Sequence, residues 1–318
     1  MVGNSSVSCI RIGTRGSKLA LWQANFVAGE LKKHNIETEI AVVKTSGDAV
    51  QDRSIENIGA QGVFTREIQR ALLNGEIDIA VHSLKDLPTE PVDGLYLAAV
   101  PERGAYRDAF LCNTVEHIED LPKDARVGTG SLRRRTQIFH RLGNLFQLLD
   151  VRGNVETRIR KLDAGEYDAL ILAEAGLRRL GFADRICSCL EPPIFLPAAG
   201  QGALGIEVAE KNRKSVGNLL NRILLHRQTF SAVLAERAFL RTLQGGCIAP
   251  IGVFGQVIEG QLTLHGRILS PDGRTAFEKS GASSVDAPET LGTALAEELL
   301  KAGAGKIIEQ IQQLRQQK

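Results

Sequence analysis

The sequence predicts an α/β protein of two lobes joined by a double crossover, followed by a smaller α+β domain. Three observations carry this. Strand-like and helix-like segments alternate from Cys9 to Val81 and again from Ala109 to Leu180, the pattern of a parallel or mixed sheet covered by helices. A Gly- and Pro-rich stretch beginning at Leu196 then runs into a strand-like segment ending at Val208, which returns the chain to the first lobe as in two-lobed binding folds. Near Asn212 the alternation gives way to helices followed by a run of alternating segments. The chain of 318 residues exceeds what one core usually holds, and the expected division is 1–102 with 202–222, then 103–201, then 223–318.

In order, Cys9 to Thr14 is a strand, and Ser17 caps a helix whose Leu19, Trp22, Phe26, Val27 and Leu31 fall near helical spacing. A second strand spans Glu39 to Lys44, and a Gly-containing loop follows through Gly62. The helix from Phe64 to Leu73 ends at Asn74-Gly75, since glycine accepts the left-handed backbone that closes a helix, and Ile77 to Val81 is a buried strand. The second lobe has strands Ala109 to Cys112, Arg126 to Thr129, Leu145 to Val151 and Ala169 to Leu172. Its helices start at Ser131 and Asn154, and a third runs through Leu180. The last domain has two helical stretches, a Gly245-Gly246-Cys247 loop, and alternating segments Gly252 to Val257, Gln261 to Leu269 and Arg274 to Lys279. Two helices follow from about Ala287.

Composition excludes several classes. Lys and Arg number 39 against 37 Asp and Glu, a net charge of +2, so no chain-wide basic field recruits nucleic acid. Three Tyr and one Trp leave few stacking platforms for RNA. The segment Met1 to Ile10 is polar without a signal-like apolar core, and nowhere do about 18 apolar residues run together, so no membrane partner is expected. The five cysteines show neither zinc spacing nor a disulfide frame, which fits the cytoplasm. Cys9, Cys112, Cys187 and Cys189 lie in or beside apolar runs and read as core.

Local charge is more informative. From Arg126 to Arg185 there are eleven Arg and one Lys against seven acids. Arg133, Arg134 and Arg135 follow Gly128-Thr129-Gly130-Ser131 at a strand-to-helix junction; Arg152 and Arg158 flank the next junction, and Arg178 and Arg179 form a third group. Such junctions bring backbone N–H groups and guanidinium forks to one spot, an arrangement suited to carboxylate or phosphate. The bland alternative for each arginine is a solvated face. There is neither a P-loop nor a dinucleotide fingerprint. In Val81-His82-Ser83-Leu84-Lys85-Asp86-Leu87-Pro88, Asp86 is either half of a loop ion pair or a carboxylate that stabilises a cation forming on a polyanion bound in the cleft; His82 reads as structural. Cys247 is a buried small hydrophobe, or a thiol exposed by its two glycines for nucleophilic or attachment chemistry. From these features alone, an enzyme competes with a two-lobed binding protein for an anionic small molecule.

Six segments taken together resemble the hydroxymethylbilane synthase (porphobilinogen deaminase) family, in order, from about Cys9 to Leu299. They are Arg11-Ile-Gly-Thr-Arg15-Gly-Ser17, His82-Ser-Leu-Lys85-Asp86, Gly128-Thr129-Gly-Ser131-Leu-Arg133-Arg134, Val151-Arg152-Gly-Asn-Val-Glu-Thr-Arg158, Leu196-Pro-Ala-Ala-Gly-Gln201-Gly202 and Gly245-Gly-Cys247. The resemblance implies a transferase of tetrapyrrole (heme) biosynthesis that joins four porphobilinogen molecules head to tail, releasing ammonia. It also implies a dipyrromethane cofactor held by a thioether to Cys247, with Asp86 as the catalytic carboxylate. Arg15, Ser17, Lys85, Thr129, Ser131, Arg133, Arg134, Arg152, Arg158 and Arg179 match positions that hold cofactor and substrate carboxylates, and Gln201 matches one near the interdomain connection. The implied fold has two lobes like periplasmic binding proteins and a third domain presenting the Cys loop; the implied protein is a monomer. Arg135 and Arg178 stand beside matched positions and read as surface charge. The chain departs from the family at Gly59-Ala60-Gln61-Gly62 and Asn57, where lysines are common, so weaker loop-to-substrate electrostatics is expected. It also has Gly130 in place of a frequent Ser, and Gly104-Ala105 in place of an acidic pair.

Overall fold

The computed structural model describes residues 9–44, 65–244 and 249–316. In the first lobe β1 (Ile10–Thr14) pairs in parallel with β2 (Thr38–Val42) and β3 (Ile79–Ser83), and β4 (Leu95–Ala99) forms an edge. The returning strand, β10 (Leu204–Ala209), inserts between β3 and β4, antiparallel to both. Ile10, Ile12, Ile79 and Val81 meet Ala24, Val27 and Leu31 of α1 (Lys18–Lys32). Ala80 points to the opposite face, against Ile68 and Leu72 of α2 (Arg66–Asn74), as period-two alternation requires.

The second lobe repeats the plan. Its strands are β5 (Asp108–Cys112), β6 (Arg126–Gly128), β7 (Gln147–Leu149), β8 (Ala169–Ala173) and β9 (Ser188–Leu190), in the order β7-β6-β8-β5-β9. Here β5 is the antiparallel strand, flanked by β8 and β9. The symmetry has a simple cause. β5 and β10 each enter directly from the other lobe, so they start at the cleft, where β1, β3, β6 and β8 end. The helices are α3 (Leu132–Leu142), α4 (Val155–Asp163) and α5 (Glu174–Arg179). β4 and β9 are additions to the sequence expectation: β4 is a short stretch with two alanines, and β9 has three residues, too few to show a period.

α6 (Asn218–Leu224) places Leu220 and Leu224 in the first lobe's core. α7 (Arg227–Thr242) opens the remaining unit, in which β11 (Ile251–Ile258), β12 (Gln261–Leu269) and β13 (Ala276–Ser284) form an antiparallel sheet, followed by α8 (Pro288–Leu299) and α9 (Gly305–Gln316). Phe239, Leu264, Ile268, Leu295 and Ile307 share its core. Gly292 lets α8 lie close on α7, since a Cβ there would come within 2.2 Å of the Ala235 carbonyl oxygen. One expectation fails: Cys9 is exposed, because it precedes the first buried position of β1. Cys112 is buried, whereas Cys187 and Cys189 are half-buried. Among the described residues no helix is long and apolar enough to cross a membrane.

Candidate active site

The site grows from the cleft end of β3. After Ser83 the chain makes a single 3-10 turn, Leu84–Asp86, with Leu84 buried and Asp86 exposed. The turn is braced from three sides. Leu84 N donates to the Ala203 carbonyl (3.0 Å), Leu84 and Leu87 pack with Val100, Ala203 and Val233, and Arg237 of α7 donates to the carbonyls of Leu87 (3.0 Å) and Pro88 (2.6 Å). The last domain therefore fixes the backbone that carries Asp86. Arg15, Ser17, Gln23, His82, Ser83 and Asp86 line one small pocket. Ser17 caps α1 by accepting from Ala20 N (3.2 Å), and Gln23 donates to Ser83 Oγ (2.7 Å). His82 is buried, its Nε2 3.0 Å from Glu207 Oε2, while Gln69 donates to both Glu207 oxygens.

Across the cleft, Ser131 caps α3 by accepting from Arg134 N (3.4 Å), and Thr129 Oγ1 accepts from Ser131 N (3.4 Å). Thr129 is fully buried in this turn. Arg133 and Arg134 are buried as well, and both grip Asp108 at the start of β5, Arg133 with two hydrogen bonds of 2.7 and 3.1 Å and Arg134 with Nε at 2.9 Å. Burial opposes the charge on Asp108, yet the two guanidiniums hold its carboxyl well below the usual carboxylate range. Asp108 was not among the sequence candidates; an acid opening an otherwise apolar strand, Ala109-Phe110-Leu111-Cys112, is the signal that could have found it.

Arg152 donates to Asp150 (2.6 Å) and Arg158 to the Gly153 carbonyl (2.8 Å). Burial, with Arg134 and Arg152 adding repulsion, lowers Arg158 to about 10. Burial lowers Arg179 to about 10 as well; it donates to the Gly202 carbonyl (2.6 Å) and lies 5.5 Å from the Trp22 ring centroid in the other lobe. Lys85 falls to about 8, chiefly through burial, with Asp86 opposing and Arg134 and Arg133 of the facing lobe assisting. The Lys85-Asp86 turn and the arginine cluster thus share one electrostatic field. Arg135 and Arg178 are more than surface charge: Arg135 donates to the Thr129 carbonyl (3.1 and 3.0 Å) and pairs with Asp150 (3.2 Å), and exposed Arg178 pairs with buried Glu174 (2.7 Å), which Arg107 also holds.

Gln201 sits where both crossovers meet. It is buried and donates to the carbonyls of Tyr106 (2.8 Å) and Arg107 (3.1 Å) and to Asp108 Oδ1 (2.9 Å). Nearby, Glu236 of α7, fully buried, accepts from Arg103 in the first crossover (2.6 and 3.3 Å), Gly200 N in the second (2.7 Å) and Gly255 N in β11 (2.8 Å). Gly202 has φ +87°, and a Cβ there would lie 2.5 Å from the Ala105 carbonyl oxygen, so the two crossovers touch. Gly130 is similarly tight: a Cβ would meet the Val151 carbonyl at 3.1 Å and Asp150 Oδ1 at 3.3 Å. Cys247, Asn57 and the Gly59–Gly62 run lie outside the described residues.

Two α/β lobes carry Asp86 and the arginines of α3 and α4 at strand ends, and a third unit braces the turn that holds Asp86, the plan of a two-lobed protein with a charged cleft. Comparison with known proteins is more specific. Residues 10–216 match the family model "Porphobilinogen deaminase, dipyromethane cofactor binding domain", and residues 230–301 match "Porphobilinogen deaminase, C-terminal domain". The chain is 45% identical over 312 residues to the porphobilinogen deaminase of Geotalea uraniireducens (97% of this chain, 96% of that one). It is 46% identical over 313 residues to that of Chlorobium limicola (96% and 98%) and 47% identical over 308 to that of Geobacter metallireducens (96% and 95%). A methionine-binding lipoprotein structure from Bacillus subtilis aligns at 13% identity and a TM-score of 0.43, covering 68% of this chain and 90% of that chain. The chain belongs to the porphobilinogen deaminase family, transferases of tetrapyrrole biosynthesis that carry a dipyrromethane cofactor.

The residues present fit that cofactor. Its pyrrole rings bear acetate and propionate groups, and the cleft holds Arg158 beside Arg152 and Arg179 at the lobes' seam, with Lys85 on the other lobe within the field of Arg134 and Arg133. Carboxylates restore the charge balance that burial of these cations disturbs.

Proposed function

We propose that the chain condenses four porphobilinogen molecules head to tail into hydroxymethylbilane, on a dipyrromethane held by a thioether to Cys247. One observation carries this most directly: the braced turn that exposes Asp86 shares a pocket with Arg15 of its own lobe and lies within the field of Arg133 and Arg134 of the other. The cofactor, when bound, supplies the terminal pyrrole carbon to which substrate is joined.

The residues divide the remaining work. Arg15 and Ser17 at the start of α1, and Arg152, Arg158 and Arg179 in the second lobe, take the acetate and propionate groups of cofactor and substrate. Lys85 adds a cation whose buried charge a bound carboxylate stabilises. As the aminomethyl C–N bond of substrate breaks and ammonia leaves, positive charge spreads into that pyrrole, and the Asp86 carboxylate accepts from its N–H and stabilises it. Thr129, Ser131, Arg133, Arg134 and Gln201 form the cleft's backing; the Asp108 carboxylate fixes both arginines so that their field, rather than their mobility, acts on the ligand. The three units then follow the division 1–102 with 202–222, 103–201 and 223–318, although Leu224 in the first lobe's core favours a junction nearer His226. The working form is a cytoplasmic monomer.

Ammonia release measured against linear product tests the reading. Four ammonia per hydroxymethylbilane is the expected stoichiometry; ammonia without a four-ring product would contradict it.

A further inference from the structure

We infer that Lys18 and Glu156 form a clasp between the lobes whose lysine passes from Glu156 to a substrate carboxylate, so that the incoming chain itself loosens the cleft. This rests on the reading of the cleft as a site for pyrrole carboxylates. Lys18 Nζ lies 2.6 Å from Glu156 Oε1, linking the first residue of α1 in one lobe to the first turn of α4 in the other. Each partner adjoins binding residues: Lys18 follows Ser17, and Glu156 lies between Arg152 and Arg158.

The two charges are unequally placed. Glu156 sits where the amide dipoles of α4 favour an anion, whereas Lys18 sits at the start of α1, where those dipoles disfavour a cation. Glu156 therefore satisfies a lysine that its own helix does not. A carboxylate drawn to Arg15 and Ser17 at that same helix start meets the same need and displaces Glu156. The Lys18 side chain is 74% exposed, so it turns toward such a ligand without repacking. An exposed pair of this kind is individually weak, as an exchangeable contact must be. Beside it, the seam consists of Arg179 against Trp22 and the Gly202 carbonyl, with Leu19 facing Gly176.

Trp22 is the chain's single tryptophan, so its fluorescence reports the seam without reference to catalysis. The experiment uses the cofactor-loaded protein as K18M, E156Q and the double variant, measuring acrylamide quenching of Trp22 and KM for porphobilinogen. The clasp predicts that all three raise quenching equally. It also predicts that E156Q lowers KM and K18M raises it, each by about two- to five-fold, the range expected of an exposed pair. The double variant matches K18M, because Glu156 acts only by occupying Lys18. A double variant whose KM returns to the wild-type value would reduce the pair to two independent charges, and additive or absent quenching changes would remove the clasp. Failure of the wild-type protein to turn over porphobilinogen would overturn the reading of the site instead, and the quenching cycle would still decide whether the clasp exists.

Discussion

Lys85 and Asp86 are neighbours in one turn, yet they differ in burial: the lysine is half-buried and weakened as a cation, and the aspartate is exposed. Replacing Asp86 by Asn keeps the shape of the turn and removes the charge that stabilises the substrate cation. The turn's braces are backbone contacts and apolar packing, so Asp86→Asn is expected to fold with an unchanged far-UV spectrum while kcat falls by about a hundred-fold or more. Lys85, ordinarily near 10.5, titrates at about 8 in the folded protein. Between those values the folded state holds fewer protons than the unfolded one, so this group's contribution to stability rises with pH across the window; below about pH 8 the penalty of burying the charge is present in full. Chemical denaturation of wild type and Lys85→Met from pH 7 to 10.5 should show a stability difference between the two that shifts in favour of wild type as pH rises, since the other groups titrating there are common to both. Porphobilinogen affinity should move the other way, weakening above about pH 8 as the ammonium discharges, and Lys85→Met should flatten that profile. At this scale the sequence pointed to Asp86, Lys85 and the arginines through their places at strand ends. It was silent on how Arg133 and Arg134 are spent. Their partner Asp108 comes from a distant strand, and local spacing does not encode such a pairing.

The elements show the same division between local and long-range information. β1, α1, β6, α3, β8 and the third-unit sheet were legible because each has a cap, a period or a terminating glycine of its own. β4 and β9 were not, since they are defined by pairing with β10 and β5. Glu236 is the clearest case of function assigned by assembly: on α7 it looks like one more helical acid, but in the fold it joins both crossovers to β11. Removing its carboxylate leaves the Arg103 guanidinium, whose side chain is 9% exposed, without its counter-ion, along with two backbone N–H groups. Glu236→Ala is therefore expected to lose about 3–5 kcal/mol, read as a marked fall in the thermal midpoint, with Glu236→Gln recovering part of it. A change confined to a few tenths of a kcal/mol would show that the crossovers hold their geometry without this residue.

For the whole molecule, a nearly neutral chain concentrates its basic charge in one lobe and sets a single braced carboxylate opposite it. The Gly- and Pro-rich run suggested a crossing back to the first lobe without proving it, and the pairing of β10 with β3 and β4 was set by the fold; the bracing of Asp86 by the last unit was not legible, because Arg237 and Leu87 are far apart in the chain. This division of labour makes a specific demand: the third unit must also deliver a covalent primer to the cleft. The measurement that tests it most directly is the intact mass of protein purified from a porphobilinogen-producing host, followed by peptide mapping of the segment containing Cys247. A mass increase of two linked pyrrole units localised to Cys247 is the predicted result. An unmodified polypeptide, even after incubation with porphobilinogen or preformed hydroxymethylbilane, or an adduct on any other residue, would contradict the assignment of Cys247 as the primer's anchor.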